Sequence, residues 1–231
     1  MSFRDRSEAG RRLADALSAY AGQDVVVLAL PRGGVPVGAE IAAALHAPLD
    51  LVLVRKIGAP RHEELAMGAV ADGGQAFTVR NEDVISMLGV DERTFDGVRK
   101  QELAEIERRR AAYLRGRPAE PLAGRVAIVV DDGVATGATT RAALQAVRAR
   151  GPAKLVLATP VAPTDVLADL RLVADEVVCL EDHAAFGAIG FYYADFGQVS
   201  DEEVGDILSR FGPRAGRAAP TGGEGSRPGR A

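Results

Sequence analysis

An α/β fold with a mainly parallel central sheet and helices on both faces is what this sequence predicts, and three observations predict it. Runs rich in Val, Leu and Ala stand at 25–30, 49–55, 125–131, 154–160 and 175–180. They are near-continuous rather than alternating, so they read as strands covered on both sides. Segments with helical spacing fall between them, the pattern of strand–helix–strand units. Two of the strands also end in loops of small residues, "PRGG" at 31–34 and "DDGVATGATT" at 131–140. Open α/β sheets place their ligands at that carboxyl edge.

Each element has its own warrant. Leu13, Ala16, Leu17 and Tyr20 have helical spacing in a charged N-terminal segment. "VVVLAL" (25–30) is a buried strand, "VPVGAEIAAALH" (35–46) a helix, and "LDLVLVR" (49–55) a second strand. "AMGAVADGGQAFTVR" (66–80) reads as two short strands around the turn Asp72-Gly73-Gly74. From Asn81 to Arg117 the chain is charged; Asn81 and Asp91 are N-cap types, and Glu105 and Arg109 are spaced for an ion pair. A solvated helical hairpin packed on the core is expected there. Alternation resumes with strand 125–131, helix 139–150, strand 154–160, a helix from Thr164 and strand 175–180. Ser200 and Glu203 form a capping box for a last helix ending near Phe211. Residues 212–231 are rich in Gly, Pro and Arg with almost nothing to bury, which predicts a disordered tail behind a folded unit of 1–211.

Composition excludes several classes. A net charge of −4 argues against a nucleic-acid binder, which carries a basic excess. Cys179 is the single cysteine, so no internal disulfide forms, and its apolar setting reads as a buried thiol. The N-terminus has no apolar signal segment, and no apolar run approaches the roughly twenty residues that cross a bilayer. A cytoplasmic protein with no membrane partner is expected. His46, His62 and His183 lack metal-ligand spacing and read as structural or solvated, with His183 the best placed of the three for a site.

The loop at 131–140 carries the chemistry. Successive N–H groups of a small-residue loop, backed by a helix N-terminus, form an anion-holding concavity. Ala135, Gly137 and Ala138 leave room for a phosphate to approach, and Thr136, Thr139 and Thr140 offer hydroxyls. No Lys is present, so this is not the nucleoside-triphosphate loop. Asp131 and Asp132 would repel a phosphate and make sense facing vicinal hydroxyls or a cation. A sugar phosphate suits both halves.

"VVDDGVATGATT" resembles the signature of type I phosphoribosyltransferases, which bind 5-phosphoribosyl-1-pyrophosphate (PRPP). "LALPRGGVPVGAEIA" resembles their pyrophosphate loop, and "VRKIGAPRHEELAMGAV" the mobile loop that closes over the site. The resemblance implies the fold of that family, with 81–117 as a helical elaboration and about 181–199 as a C-terminal hood. It implies a PRPP site made by Asp131, Asp132, Gly133, Val134, Ala135, Thr136, Gly137, Ala138, Thr139 and Thr140. Asp131 and Asp132 would contact the ribose and act in catalysis with Arg32. Arg32, Gly33 and Gly34, with a cis peptide at Pro31-Arg32, would hold the diphosphate, joined by Arg55, Lys56 and Arg61 from the mobile loop. Mg²⁺ is the implied cofactor, without an assigned protein ligand. A homo-oligomer, a dimer, is expected.

The implied reaction transfers the phosphoribosyl group to a nitrogenous base, a small-molecule nucleobase, with release of pyrophosphate. The aromatic stretch "HAAFGAIGFYYADFGQVS" stands where the family's hood stacks on the base, which makes Phe186, Phe191, Tyr192 and Asp195 base-pocket candidates, with Tyr193 and Phe196 beside them. Two departures from the hypoxanthine–guanine members leave the base open. Their base-reading Lys would fall near Leu157, and the spacing from Gly190 to Asp195 is longer by one. The alternative function is a PRPP-binding regulator with weak turnover. A response-regulator receiver also has an acidic pair at a strand tip, but the later phospho-accepting Asp and Lys are missing and the Thr/Gly loop would be unexplained.

Overall fold

The computed structural model describes residues 2–60, 62–72 and 77–211. Arg61, the Gly73-Gly74 turn and the tail from 212 onward lie outside the described residues. The chain opens with α1 (Arg6–Ala16), started by Asp5, whose side chain accepts from the Glu8 N–H at 2.7 Å. Then come β1 (Val25–Ala29), α2 (Gly34–Ala44), β2 (Leu49–Leu51), β3 (Val54–Ala59), β4 (His62–Ala71) and β5 (Phe77–Arg80). The second half holds α3 (Glu82–Leu88), α4 (Glu92–Leu114), β6 (Val126–Val130), α5 (Ala138–Arg148), β7 (Lys154–Pro163), α6 (Thr164–Leu170), β8 (Glu176–His183) and α7 (Asp201–Ser209).

The central sheet is parallel, in the order β2-β1-β6-β7-β8. Successive residues of each strand face opposite sides. Val25, Val27 and Ala29 of β1 with Ile128 and Val130 of β6 pack with α1, α2, α4 and α7 residues such as Leu13, Ile41, Ile106 and Leu208. Val26 and Leu28 with Ala127 and Val129 pack toward Leu144 and Val147 of α5 and Leu167 and Leu170 of α6. That double burial is why these strands read as unbroken apolar runs.

A second sheet, β3-β4-β5, is antiparallel. The single strand expected at 49–55 is therefore two strands in two sheets. Val52 N–H still donates to Ala29 O in the first sheet, whereas Leu53 O accepts from Asp72 N–H next to the second. The stretch expected as a mobile loop is the β3–β4 hairpin, with Arg55 opposite Val70 and Lys56 opposite Ala69. The helical segment expected at 81–117 forms, with Asn81 and Asp91 as N-caps and Glu105 paired to both Arg108 and Arg109, but α3 packs on β4 rather than back along α4 as a hairpin would. The segment buries Ile85, Phe95, Ile106 and Tyr113 in the core cluster that also holds Ile57, Met67 and Val70 of the second sheet. β7 and β8 run three residues further than expected. The Ser200 side chain accepts from Glu203 N–H at 3.1 Å and starts α7.

Candidate functional site

Asp131 and Asp132 follow the buried end of β6 directly, at the carboxyl edge of the sheet. The first loop lies beside them because Leu30 N–H donates to Val130 O at 2.9 Å, extending the β1–β6 ladder by one bond. Both glycines of this loop are required by contact. A Cβ at Gly33 would overlap Asp132 Oδ2, and one at Gly34 would stand 2.6 Å from Val130 O. The Pro31-Arg32 peptide is cis, at the place the resemblance implied. Gly34 N–H, however, is committed to Leu30 O at 3.0 Å, so of the two glycine amides expected to hold a diphosphate this one is already used.

The loop after the acidic pair runs into α5. Gly137 has φ +74°, the left-handed region open to glycine, and a Cβ there would meet Val166 at 2.6 Å. Ala135, Thr136, Ala138 and Thr139 are exposed or lie at the loop surface, whereas Thr140 is buried. Among the described residues no side chain caps α5, so its first-turn N–H groups and the positive end of its dipole are left without a side-chain acceptor, next to the exposed Thr136 and Thr139. A cleft of about 600 Å³ borders the loop between α5 and the antiparallel sheet, lined by Gly68, Val79, Thr136, Ala138 and Arg141 among others. Such an arrangement can hold an anion of phosphate size.

The acidic pair is held asymmetrically. Arg6 Nε donates to Asp132 Oδ2 at 2.7 Å, and both side chains are only 12% exposed. Tyr193 OH donates to Asp132 O at 2.6 Å. Asp132 N–H donates to Asp131 Oδ1 at 2.9 Å. Burial, and then the neighbouring Asp132 charge, push the Asp131 carboxyl well above the ordinary carboxylate range. Burial, and then the same charge, raise the Tyr193 phenol.

Other candidate cations engage carboxylates elsewhere. Arg32 Nη1 reaches Asp201 Oδ1 at 3.4 Å, an oxygen that also accepts from Tyr113 OH at 2.8 Å. Arg55 Nε donates to Glu102 of α4 at 2.6 Å, and Lys56 is exposed on β3. The structure thus brings Asp131, Asp132, Gly33 and Gly34 together with the α5 loop, while the side chains of Arg32 and Arg55 reach to α7 and α4.

The hood aromatics divide by role. Tyr193 is core, packed with Phe3 and Val161. Tyr192 lies against both Phe186 and His183, with ring centroids 5.1 and 4.5 Å away. Phe191 is 73% exposed, and Asp195 Oδ1 accepts from Gly197 N–H at 3.0 Å. Leu157, the expected counterpart of a base-reading Lys, is fully buried in mid-strand between Val129 and Val177. It packs in the core against α5 and α6, so it cannot face a ligand at the sheet edge. Among the described residues, no group of three or more His, Cys, Asp or Glu is placed to hold a metal ion.

Arg6 is the residue that sequence reasoning missed. It is the first residue of α1, where a cation opposes the helix dipole. That mismatch, in a chain whose other cue there is the Asp5 cap, was the available signal.

The family model described as "Phosphoribosyl transferase domain" matches residues 5–195. Two Mycobacterium tuberculosis proteins, each carrying the name "Putative phosphoribosyl transferase", are 49% identical over 208 residues, which are 90% of this chain and 46% of theirs. The chain thus spans about half the length of these curated relatives. The crystal structure of TT1426 from Thermus thermophilus superposes with a TM-score of 0.80 at 42% identity, covering 92% of this chain and 100% of that one. With its five-stranded parallel sheet and its acidic pair at the head of a Thr/Gly loop, the chain belongs to the phosphoribosyl transferase domain family and has the type I phosphoribosyltransferase fold.

Proposed function

We propose that this protein binds PRPP and transfers its phosphoribosyl group to a nitrogenous base, a nucleobase by class, releasing pyrophosphate. One observation carries the reading: an acidic pair at the sheet edge leads into an exposed small-residue loop at an uncapped helix N-terminus, beside a double-glycine loop. A sugar phosphate matches both ends of that arrangement. The 5-phosphate sits on the loop 135–140 and the α5 N-terminus, and the ribose hydroxyls face Asp131 and Asp132. The diphosphate lies toward Arg32 and the Gly33 amide, with Arg55 and Lys56 on the hairpin above.

In the transfer, the bond from the anomeric carbon to the diphosphate oxygen breaks and its electron pair leaves with pyrophosphate. A ring nitrogen of the base forms the new bond and gives up its proton to water. Positive charge grows on the ribose as negative charge grows on the leaving group. Asp131 and Asp132 orient the ribose and favour the first charge; Arg32 favours the second once it exchanges Asp201 for the diphosphate. Mg²⁺ suits this donor set, since hard oxygens of the diphosphate and water satisfy most of its coordination and a dedicated carboxylate cage is not required. When bound it would neutralise the leaving group, and Arg32 and the Gly33 amide would hold it through that diphosphate. The hood residues Phe186, Phe191, Tyr192 and Asp195 border the acceptor, with Phe191 the exposed ring best able to stack on a base.

A second reading, a PRPP-binding regulator with little turnover, draws on the pairing of Arg32 with Asp201 and of Arg55 with Glu102. Measuring pyrophosphate release from Mg-PRPP across a panel of purine and pyrimidine bases separates the two. Turnover with one base supports the transferase and names its acceptor. PRPP binding without release for any base supports the regulator.

A further inference from the structure

We infer that Arg6 is a positioning residue of the phosphoribosyl site, acting through Asp132 to make an acidic pair compatible with a polyanionic sugar phosphate. The inference rests on the PRPP reading above and deepens it. A ligand with a phosphate on one end and a diphosphate on the other brings several negative charges toward two adjacent carboxylates. Without a counter-charge, the pair that orients the ribose would repel the rest of the molecule.

Arg6 supplies that counter-charge from an unexpected element. Its Nε donates to Asp132 Oδ2 at 2.7 Å, its Nη1 donates to Gly197 O at 2.7 Å, and its Cζ stands 3.9 Å from the centre of the Phe196 ring. Among the described residues it is the cation ion-paired with Asp132. The same Oδ2 lies against Gly33, so the guanidinium fixes the carboxylate on the side where the double-glycine loop passes. Phe3 and Arg4 are tied to the hood by backbone bonds from Ala194 N–H to Phe3 O and from Asp195 N–H to Arg4 O, each 2.8 Å. Tyr193, from the same hood, holds the backbone of Asp132. The N-terminal segment, the hood and the acidic pair are thereby one mechanical unit, and Arg6 is the side chain that touches all three.

Stability alone is a weak explanation for this contact. A largely buried ion pair loses much of its Coulomb gain to desolvation, and a cation at a helix N-terminus adds a further cost. The guanidinium is nevertheless used through three partners at once, a geometry that an ammonium group cannot reproduce. Burial and the Asp132 charge raise the Asp131 carboxyl, and the Arg6 charge opposes that shift. Arg6 therefore bears on the charge of Asp131 as well as on the placement of Asp132.

The test is calorimetric titration of Mg-PRPP into the full chain, into Arg6→Gln, Arg6→Lys and Asp132→Asn, and into the Arg6→Gln/Asp132→Asn double variant, with melting temperatures recorded for each. Arg6→Gln is expected to weaken binding on the order of tenfold to a hundredfold, the span of a charge-assisted hydrogen bond. In the Asp132→Asn background the same change should have little further effect, because Arg6 acts through that carboxylate. Arg6→Lys, which keeps charge and stem, should fold and bind with intermediate affinity, so the question stays answerable should Arg6→Gln not fold. Wild-type affinity in folded Arg6→Gln or Arg6→Lys, or an Arg6→Gln effect of equal size in both backgrounds, would overturn the role of Arg6 while leaving the PRPP reading intact. Absence of binding by the wild-type chain would instead remove the PRPP reading and this inference together.

Discussion

Gly33 and Asp132 are in direct contact: a Cβ on Gly33 would overlap Asp132 Oδ2, the oxygen that Arg6 holds at 2.7 Å. The carboxylate cannot swing away from an added methyl without leaving its guanidinium. Gly33→Ala is therefore expected to cost about 1–3 kcal/mol of stability, the usual range for forcing atoms into a packed site. It should also weaken PRPP binding, read by calorimetry on the folded variant. Unchanged stability and affinity would mean that the two loops are not in contact in solution.

Gly137 serves two purposes at once, a left-handed φ of +74° and a 2.6 Å approach to Val166 Cγ1. Gly137→Ala should destabilise the protein by about 1–3 kcal/mol through both effects. Adding Val166→Ala should recover the steric part and leave the conformational part. Urea denaturation of the single and double variants checks this, and an absence of recovery would show that the contact with α6 is not limiting.

The raised Asp131 carboxyl has a consequence for stability. Its folded pKa lies above its unfolded value, so the folded state binds the proton more tightly. Stability from this group is present at acid pH and is lost as pH rises through the folded value. Asp131→Asn should therefore raise the melting temperature by a few degrees at neutral pH while abolishing ribose recognition. The gain should shrink as pH falls toward the ordinary carboxylate range near about 4. A variant less stable than wild type at pH 7 would contradict the assignment.

A second buried charge cluster joins α4 to the sheets. Arg110 pairs with Asp72 and lies 3.8 Å from Asp50, which is completely buried and accepts from Leu51 and Glu120 N–H groups. Burial raises the Asp72 carboxyl despite that partner. Arg110→Met leaves the carboxylate buried without its cation and should cost about 3–5 kcal/mol. The Asp72→Asn/Arg110→Met double variant should recover part of the loss in a denaturation cycle, and strict additivity would rule the coupling out.

Much of this architecture was legible in the sequence because it is local. Caps at Asn81, Asp91 and Ser200, the apolar strands, and the loop at 131–140 each declare themselves within a few residues. Two features did not. The handover at Val52-Leu53 from the parallel sheet to the antiparallel one leaves no mark in an unbroken apolar run. Leu157 looked like a site position for a related reason: a strand buried on both faces has no in-and-out alternation to show where the core ends and the ligand edge begins. Arg6 was hidden by distance, since its partners Asp132 and Gly197 lie 126 and 191 residues away along the chain.

The most direct test of the central claim is calorimetric titration of Mg-PRPP into the wild-type chain and into Asp132→Asn. The substitution keeps the size of the side chain while removing its charge and part of its acceptor capacity. Binding by the wild type, weakened by about 1–3 kcal/mol in the folded variant, is the result expected of a carboxylate that holds the ribose hydroxyls. Equal affinity in both proteins, or no binding by either, would contradict the assignment of this site to PRPP.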